Sequence, residues 1–331
     1  MLLLSQKMII IISAIRQSAS FLLLDPLKVI GRHSLSVYNE HMTYTIENEN
    51  YKAEISGTGA ELQSLFVRGS GLECMWQGDP SVWAQRAPLL FPIVGRLRDD
   101  RYILDGREYT MTIHGFAKSL EFELLEHRED RLRLCLKSSD ETFKKYPFDF
   151  TLISDYCLSE KGLSVTRIVE NHSPRLMPFS IGEHFGFRLP FFPGEKLRDY
   201  RLEFPEKETF VRYPLTVQHL LGKPEPYLEN TREIPIREDL FDRGALVFMG
   251  LKSRETTLGR TGARTSLTVR FDDYSVIAFW SKAGAGIPYI CVEPWNGYDT
   301  PEDAGDDLYQ KPGILMLEPG KSRSFTCQIM P

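Results

Sequence analysis

From residue 42 onward, apolar and polar positions alternate with a period of two. Tyr51, Ala53 and Ile55 alternate with polar neighbours, and Leu132, Leu134 and Leu136 share a face opposite Arg131, Arg133 and Lys137. Tyr102-Ile-Leu, Asp105-Gly106 and Arg107-Glu-Tyr-Thr-Met read as a hairpin, because Asp-Gly tolerates the positive φ that a two-residue turn needs. Segments 150–158 and 163–170 flank a turn at Glu160-Lys161-Gly162, and further strands are predicted at 43–48, 245–249, 266–271, 275–280, 289–293 and 324–329. Only 141–146 and 301–308 could form helices, and those short ones. Many short strands with almost no helix predict an all-β sandwich or barrel.

The first forty-one residues do not share this pattern. Their apolar runs, around Met8–Ile12 and Phe21–Leu24, are broken by Arg16, Gln17 and Ser18, and none approaches the ~18 residues of a membrane span. Lys7, Arg16, Lys28 and Arg32 against Asp25 and Glu40 make this stretch net positive, in a chain of net charge -5. The break predicts that residues 1–41 are an extension without a fold of their own, with Met42 as the working start; a weak membrane-surface anchor is the alternative. Residues 42–331 are read as one large domain, without linker or fixed-period repeat.

Composition narrows the function. Lys and Arg number 40 against 45 Asp and Glu in 331 residues, which argues against a nucleic-acid binder. Apolar residues at 42% can fill a large core, which excludes disorder. Five scattered cysteines without C-x-x-C fit reduced thiols in a cytoplasm.

Three residues carry candidate chemistry. His114, in Thr112-Ile-His-Gly, ends an apolar stretch beside a glycine, and His184 lies among aromatics in Pro178-Phe-Ser-Ile-Gly-Glu-His-Phe-Gly-Phe. Each alone is more often a satisfied core or loop histidine than a catalytic one. The other histidines of the folded part, His127, His172 and His219, read as surface or irregular positions. Glu293 ends the apolar run Tyr289-Ile-Cys-Val-Glu, with Pro294 and Trp295 expected to stop the strand. A poorly hydrated glutamate is a better base near neutral pH. It is equally a structural carboxylate capping a loop or paired with an arginine, Arg96 being the candidate; Arg96 could instead fork onto sugar hydroxyls. No close His/Glu ligand spacing, phosphate loop or nucleophile elbow is present, so no metal and no cofactor are expected.

The order of the motifs is more specific than any one of them. Trp76-Gln-Gly-Asp, Trp83, Ala87-Pro-Leu-Leu-Phe-Pro-Ile-Val-Gly-Arg96, the Asp-Gly hairpin, His114-Gly-Phe-Ala, Phe179-Ser-Ile-Gly-x-His184 and Val292-Glu-Pro-Trp together resemble the aldose 1-epimerase (galactose mutarotase-like) family, in its LacX-like branch. The resemblance covers roughly residues 43–331. It implies a large antiparallel β-sandwich with a sugar pocket, His184 as general acid, Glu293 as general base, and Arg96 and His114 as substrate-binding residues. The implied activity is exchange of the α and β anomers of an aldose or aldose phosphate, by a monomer or dimer. A non-catalytic sugar-binding protein that kept the pocket is the alternative. The working form would hold Glu293 ionised and His184 protonated, giving a bell-shaped pH profile.

Two departures stand out. The branch tends to read Gly-His-Pro-x-Phe, whereas Glu183 precedes His184 here and Phe185-Gly186 follows; alternation predicts that Glu183 points away from His184. Gly244 fills a slot where the branch tends to carry an aspartate, leaving Asp242 in doubt as a sugar ligand. Arg86, Arg98 and Lys118 lie close to the motifs in sequence and could hold a phosphate, although a solvated face is the plainer reading.

Overall fold

The computed structural model describes residues 42–263 and 265–331; the extension, with His33 and His41, lies outside the described residues. Every ladder between the strands is antiparallel. The chain opens with a four-stranded meander, Thr43–Glu47, Tyr51–Ser56, Leu62–Val67 and Leu72–Glu73. A 14-stranded sheet follows, running from Ile181–Gly182 through Tyr289–Asn296 and Val276–Trp280 to Glu123–His127 at the far end. This sheet folds over so that distant strands face each other across the core. Arg167, in Gly162–Asn171, bonds both oxygens of Glu183 at 2.7 and 2.8 Å although many strands separate them in the sheet order.

The alternation that predicted the strands is what fills the core. Tyr51–Ser56 alternates buried and half-buried positions, and Leu132, Leu134 and Leu136 all point inward. Ile55 and Leu65 of the meander share one apolar cluster with Leu134, Tyr156 and Val165 of the large sheet, which makes the fold a sandwich of packed β layers. The Asp-Gly hairpin forms as predicted, with φ of 51° at Asp105 and 76° at Gly106.

Three details differ from the pattern. The strand carrying Glu293 does not stop at Pro294 but runs Tyr289–Asn296. Segment 301–308 makes turns, with a short 3-10 turn only at Leu308–Gln310. The long pair Tyr200–Arg212 and Glu225–Pro235 was not distinct in the pattern, because register shifts break its alternation. The other short helix does form, as Asp140–Phe143, with Ser139 and Thr142 making a capping box.

Candidate functional site

The centre of the site is set by strand register. Ile181 and Gly182 lie opposite Asn296 and Trp295, and Phe185 lies opposite Val292, without a shift. His184 therefore faces Glu293 across the ladder. Pro294 explains both the continuity and the gap. It has no N–H to give back to Glu183, so the ladder is interrupted there on one side, while Glu183 N–H still donates to Pro294 O at 3.0 Å. On its other side Pro294 stays in register with Ile277, so the strand continues. Glu183 and Pro294 occupy a hydrogen-bonding position. His184 and Glu293 thus form the neighbouring non-hydrogen-bonded pair, where side chains come closest. His184 Nε2 lies 3.1 Å from Glu293 Oε2, with the two residues 7% and 2% exposed.

Two glycines make room around this pair. Gly182 and Gly186 share the strand face of His184, two residues to either side. A Cβ at Gly182 would sit 2.5 Å from Trp295 Cδ1, and one at Gly186 2.7 Å from Trp83 Cζ3. The Trp83 ring lies 5.2 Å from that of His184 and stacks on Tyr289 at 5.0 Å, while Trp280 meets His184 edge-on at 5.8 Å. Glu183 faces the other way, as alternation predicted, and is fully buried on Arg167.

His114 sits on a tight turn rather than on a strand. Its φ is +65° and that of Gly115 is +70°, where a Cβ would fall 2.2 Å from Phe91 O; only glycine fits that second position. The turn is tied twice to Gly95: His114 N–H donates to Gly95 O at 2.9 Å, and Gly95 N–H donates to His114 Nδ1 at 3.1 Å. A Nδ1 that accepts leaves the ring hydrogen on Nε2. Burial, with His184, Lys118 and Arg96 nearby adding to the effect, holds His114 well below the ordinary histidine range, so it is a neutral donor. Its ring lies 5.7 Å from that of His184.

Arg96 does not pair with Glu293. Its backbone N–H donates to Asp299 Oδ1 at 2.7 Å, and its Nη1 reaches both Asp100 oxygens at 2.9 and 3.1 Å. The residue borders a cleft of about 290 Å³ shared with Asp100, Gln218 and Leu220. Of the three neighbouring cations, Arg86 is spent on Gln63 O and Arg98 on the carbonyls of Glu302 and Ala304. Lys118 is half-buried, donates to Ile113 O at 2.7 Å, and is pushed down to about 8 by burial and by Arg96. Asp242 is exposed, as are His172 and His219; His127, also exposed, touches Thr45 O.

Burial opposes charge on both members of the central pair. It raises Glu293 well above the ordinary carboxylate range, with Asp299 adding to the effect, and lowers His184 to about 3. Burial thus disfavours the charged form of each member of the pair, whereas the working form expected from the sequence has Glu293 ionised and His184 protonated. His184 Nδ1 is buried without a hydrogen-bond partner, so no neighbour fixes its tautomer. Sequence reasoning missed three residues here: Trp280, Asp299 and Cys291. Cys291 lies two residues before Glu293 on the same strand face, a signal that alternation alone could have given. Its sulfur, His184 and Glu293 bring one ligand atom each to within 4.8 Å of one another, a convergence that local spacing cannot reveal.

Residues 42–329 match the family model described as Aldose 1-epimerase. The chain belongs to the aldose 1-epimerase family. It is 34% identical over 287 residues to the plasmid-borne protein LacX of Lactococcus lactis subsp. lactis, spanning 84% of this chain and 95% of that protein. Among solved structures, a galactose mutarotase related enzyme from Lactobacillus acidophilus superimposes with a TM-score of 0.81 at 35% identity, over 88% of this chain and 98% of that one. A galactose mutarotase-like protein from Lactobacillus casei gives 0.82 at 30% identity, over 87% and 99%. Family and neighbours agree with the all-β sandwich. No helix among the described residues is long and apolar enough to cross a membrane.

Proposed function

We propose that the protein is an aldose 1-epimerase that exchanges the anomers of a free or phosphorylated aldose, with Glu293 and His184 moving the protons and His114 and Arg96 binding the sugar. The observation that carries this reading is the 3.1 Å contact of His184 Nε2 with Glu293 Oε2 in a buried, aromatic-walled site. O1 and O5 of a cyclic aldose are both bonded to C1, so the groups serving them must be neighbours. Glu293 removes the O1 proton as the C1–O5 bond breaks and C1=O1 forms, and His184 gives its proton to O5. After rotation about C1–C2, O5 adds to the other face of C1 and both protons return. Each proton transfer contributes ~10²–10⁴-fold.

The proton balance fits the burial. The cyclic sugar is attacked by ionised Glu293 and protonated His184; ring opening leaves protonated Glu293 and neutral His184. A dry site favours that uncharged arrangement, so the environment supports the opened state. His114 suits the role of a fixed neutral donor to a hydroxyl, its ring being held by Gly95. All five cysteines are free and four are buried, which agrees with a reducing cytoplasm as the working compartment.

The test is anomer exchange measured by NMR over hexoses, pentoses and their 6-phosphates, with polarimetry of freshly dissolved α-glucose and α-galactose. Acceleration of at least one sugar is expected. Binding of a sugar without acceleration would favour the non-catalytic alternative.

A further inference from the structure

Cys291 has no part in the proton transfers, yet its sulfur converges on the pair that performs them. We propose that His184 Nε2, Cys291 Sγ and a Glu293 oxygen form a site for a thiophilic divalent cation, zinc above all, whose binding blocks the acid–base pair.

The donor set is the first argument. Imidazole, thiolate and carboxylate are the three ligand types that zinc accepts, and three protein donors leave a fourth position open. The ligand atoms already lie within 4.8 Å of one another, against the roughly 3.3–3.8 Å that separates the ligands of one tetrahedral zinc ion, so the donors have to close by about 1 Å. Topology supports the convergence: Cys291 and Glu293 share a strand face, and His184 stands opposite Glu293 in the register that pairs Gly186 with Cys291.

Charge is the second argument. Zinc binding displaces the thiol proton of Cys291 and the carboxyl proton of Glu293 to solvent. The resulting set of one dication, one thiolate, one carboxylate and one neutral imidazole carries no net charge, which a buried site accepts far better than an isolated ion. The unpartnered Nδ1 of His184 is the third argument. With the ring proton there, the Nε2 lone pair faces the ion. A resident metal site normally anchors that second nitrogen to an outer partner.

Binding stands on the donor set and its convergence, whereas the loss of turnover rests on the proposed acid–base reading. The experiment separates them. The full chain is titrated with Co²⁺ as a spectroscopic stand-in for zinc, in wild type, Cys291→Ser and Cys291→Ala, the second variant guarding against misfolding of the first. Wild type should show a thiolate-to-cobalt charge-transfer band, displaced by Zn²⁺, and both variants should lose it and bind at least about tenfold more weakly. In parallel, Zn²⁺ should abolish anomer exchange by wild type and EDTA should restore it. The cobalt band without exchange on any sugar would sustain the site and count against the proposed function. A wild type without the band, or variants that keep it, would overturn the site, because another group would then be holding the ion.

Discussion

Replacing Glu293 by glutamine tests the proposed chemistry most directly. The amide has the shape of the carboxyl and can still hydrogen-bond His184 Nε2, so the buried contact at 3.1 Å persists in kind and the fold should hold. What disappears is the base. The structure offers no substitute nearby. Burial pushes the Cys291 thiol well above its usual range, keeping it protonated. His114 Nδ1 is occupied by Gly95 N–H, and its Nε2 carries the hydrogen. Asp299 is tied to Arg96 N–H and raised by burial. The loss should therefore lie between about 10² and 10⁴-fold, towards the upper part, corresponding to roughly 3–5 kcal/mol of transition-state stabilisation. Because the two residues act as one acid–base pair, His184→Gln should cost a similar amount, and the double variant little more than either single one. The assay is NMR exchange spectroscopy on a sugar that wild type turns over, with circular dichroism confirming the fold. Folded Glu293→Gln protein with undiminished exchange would refute the assignment of the base.

Four further outcomes are expected. The pH profile should be a broad plateau instead of a narrow bell: burial lowers His184, so the pair takes up a second proton only in strong acid, and raises Glu293, so it loses its single proton only at high pH; a single transition near the ordinary histidine value of about 6.5 would contradict this. His114→Asn and Arg96→Ala should raise KM, with kcat changed less than by the Glu293 variant; a kcat effect as large as that of Glu293→Gln, with KM unmoved, would remove them from substrate binding. Gly186→Ala places a Cβ 2.7 Å from Trp83 and 2.8 Å from Arg86 O, so it should cost about 1–3 kcal/mol in urea unfolding and alter tryptophan fluorescence; unchanged stability and emission would mean that Trp83 does not need that space. A chain beginning at Met42 should be as soluble and heat-stable as the full chain, and a large fall in melting temperature would show that residues 1–41 contribute to folding.

Much of the fold was legible because half-buried strands record their two faces in alternation, as Leu132, Leu134 and Leu136 do. The position of Asp105-Gly106 was legible because few dipeptides tolerate two positive φ values in succession. Glu293 and His184 were visible as polar residues in apolar surroundings, but their contact was not. It depends on pairing between strands far apart in the chain, and a register shift of one residue would have turned one of them away. Arg96 was also a candidate partner for Glu293, but proximity in motif order says nothing about where a long side chain goes; Asp100, four residues on, takes it. Pro294 misled in the opposite direction. Proline was expected to end the strand, yet its missing donor falls where the neighbouring strand is itself interrupted.

That interruption connects the site to the rest of the sandwich. A break in the ladder beside His184 would by itself loosen the backbone that aims its ring, since Glu183 has lost one of two reciprocal hydrogen bonds to Pro294. The side chain of Glu183 compensates on the opposite face. It makes a bidentate, fully buried pair with Arg167, whose guanidinium also lies 5.0 Å over the Tyr156 ring. A buried ion pair is rarely the most stabilising filling for a core, but losing one partner typically costs about 3–5 kcal/mol, so it resists displacement. Glu183 and His184 therefore divide the work of one two-residue gap. The first is locked into the core, and the second turns its Nε2 towards Glu293. The backbone beside His184 is thus anchored through the glutamate that precedes it.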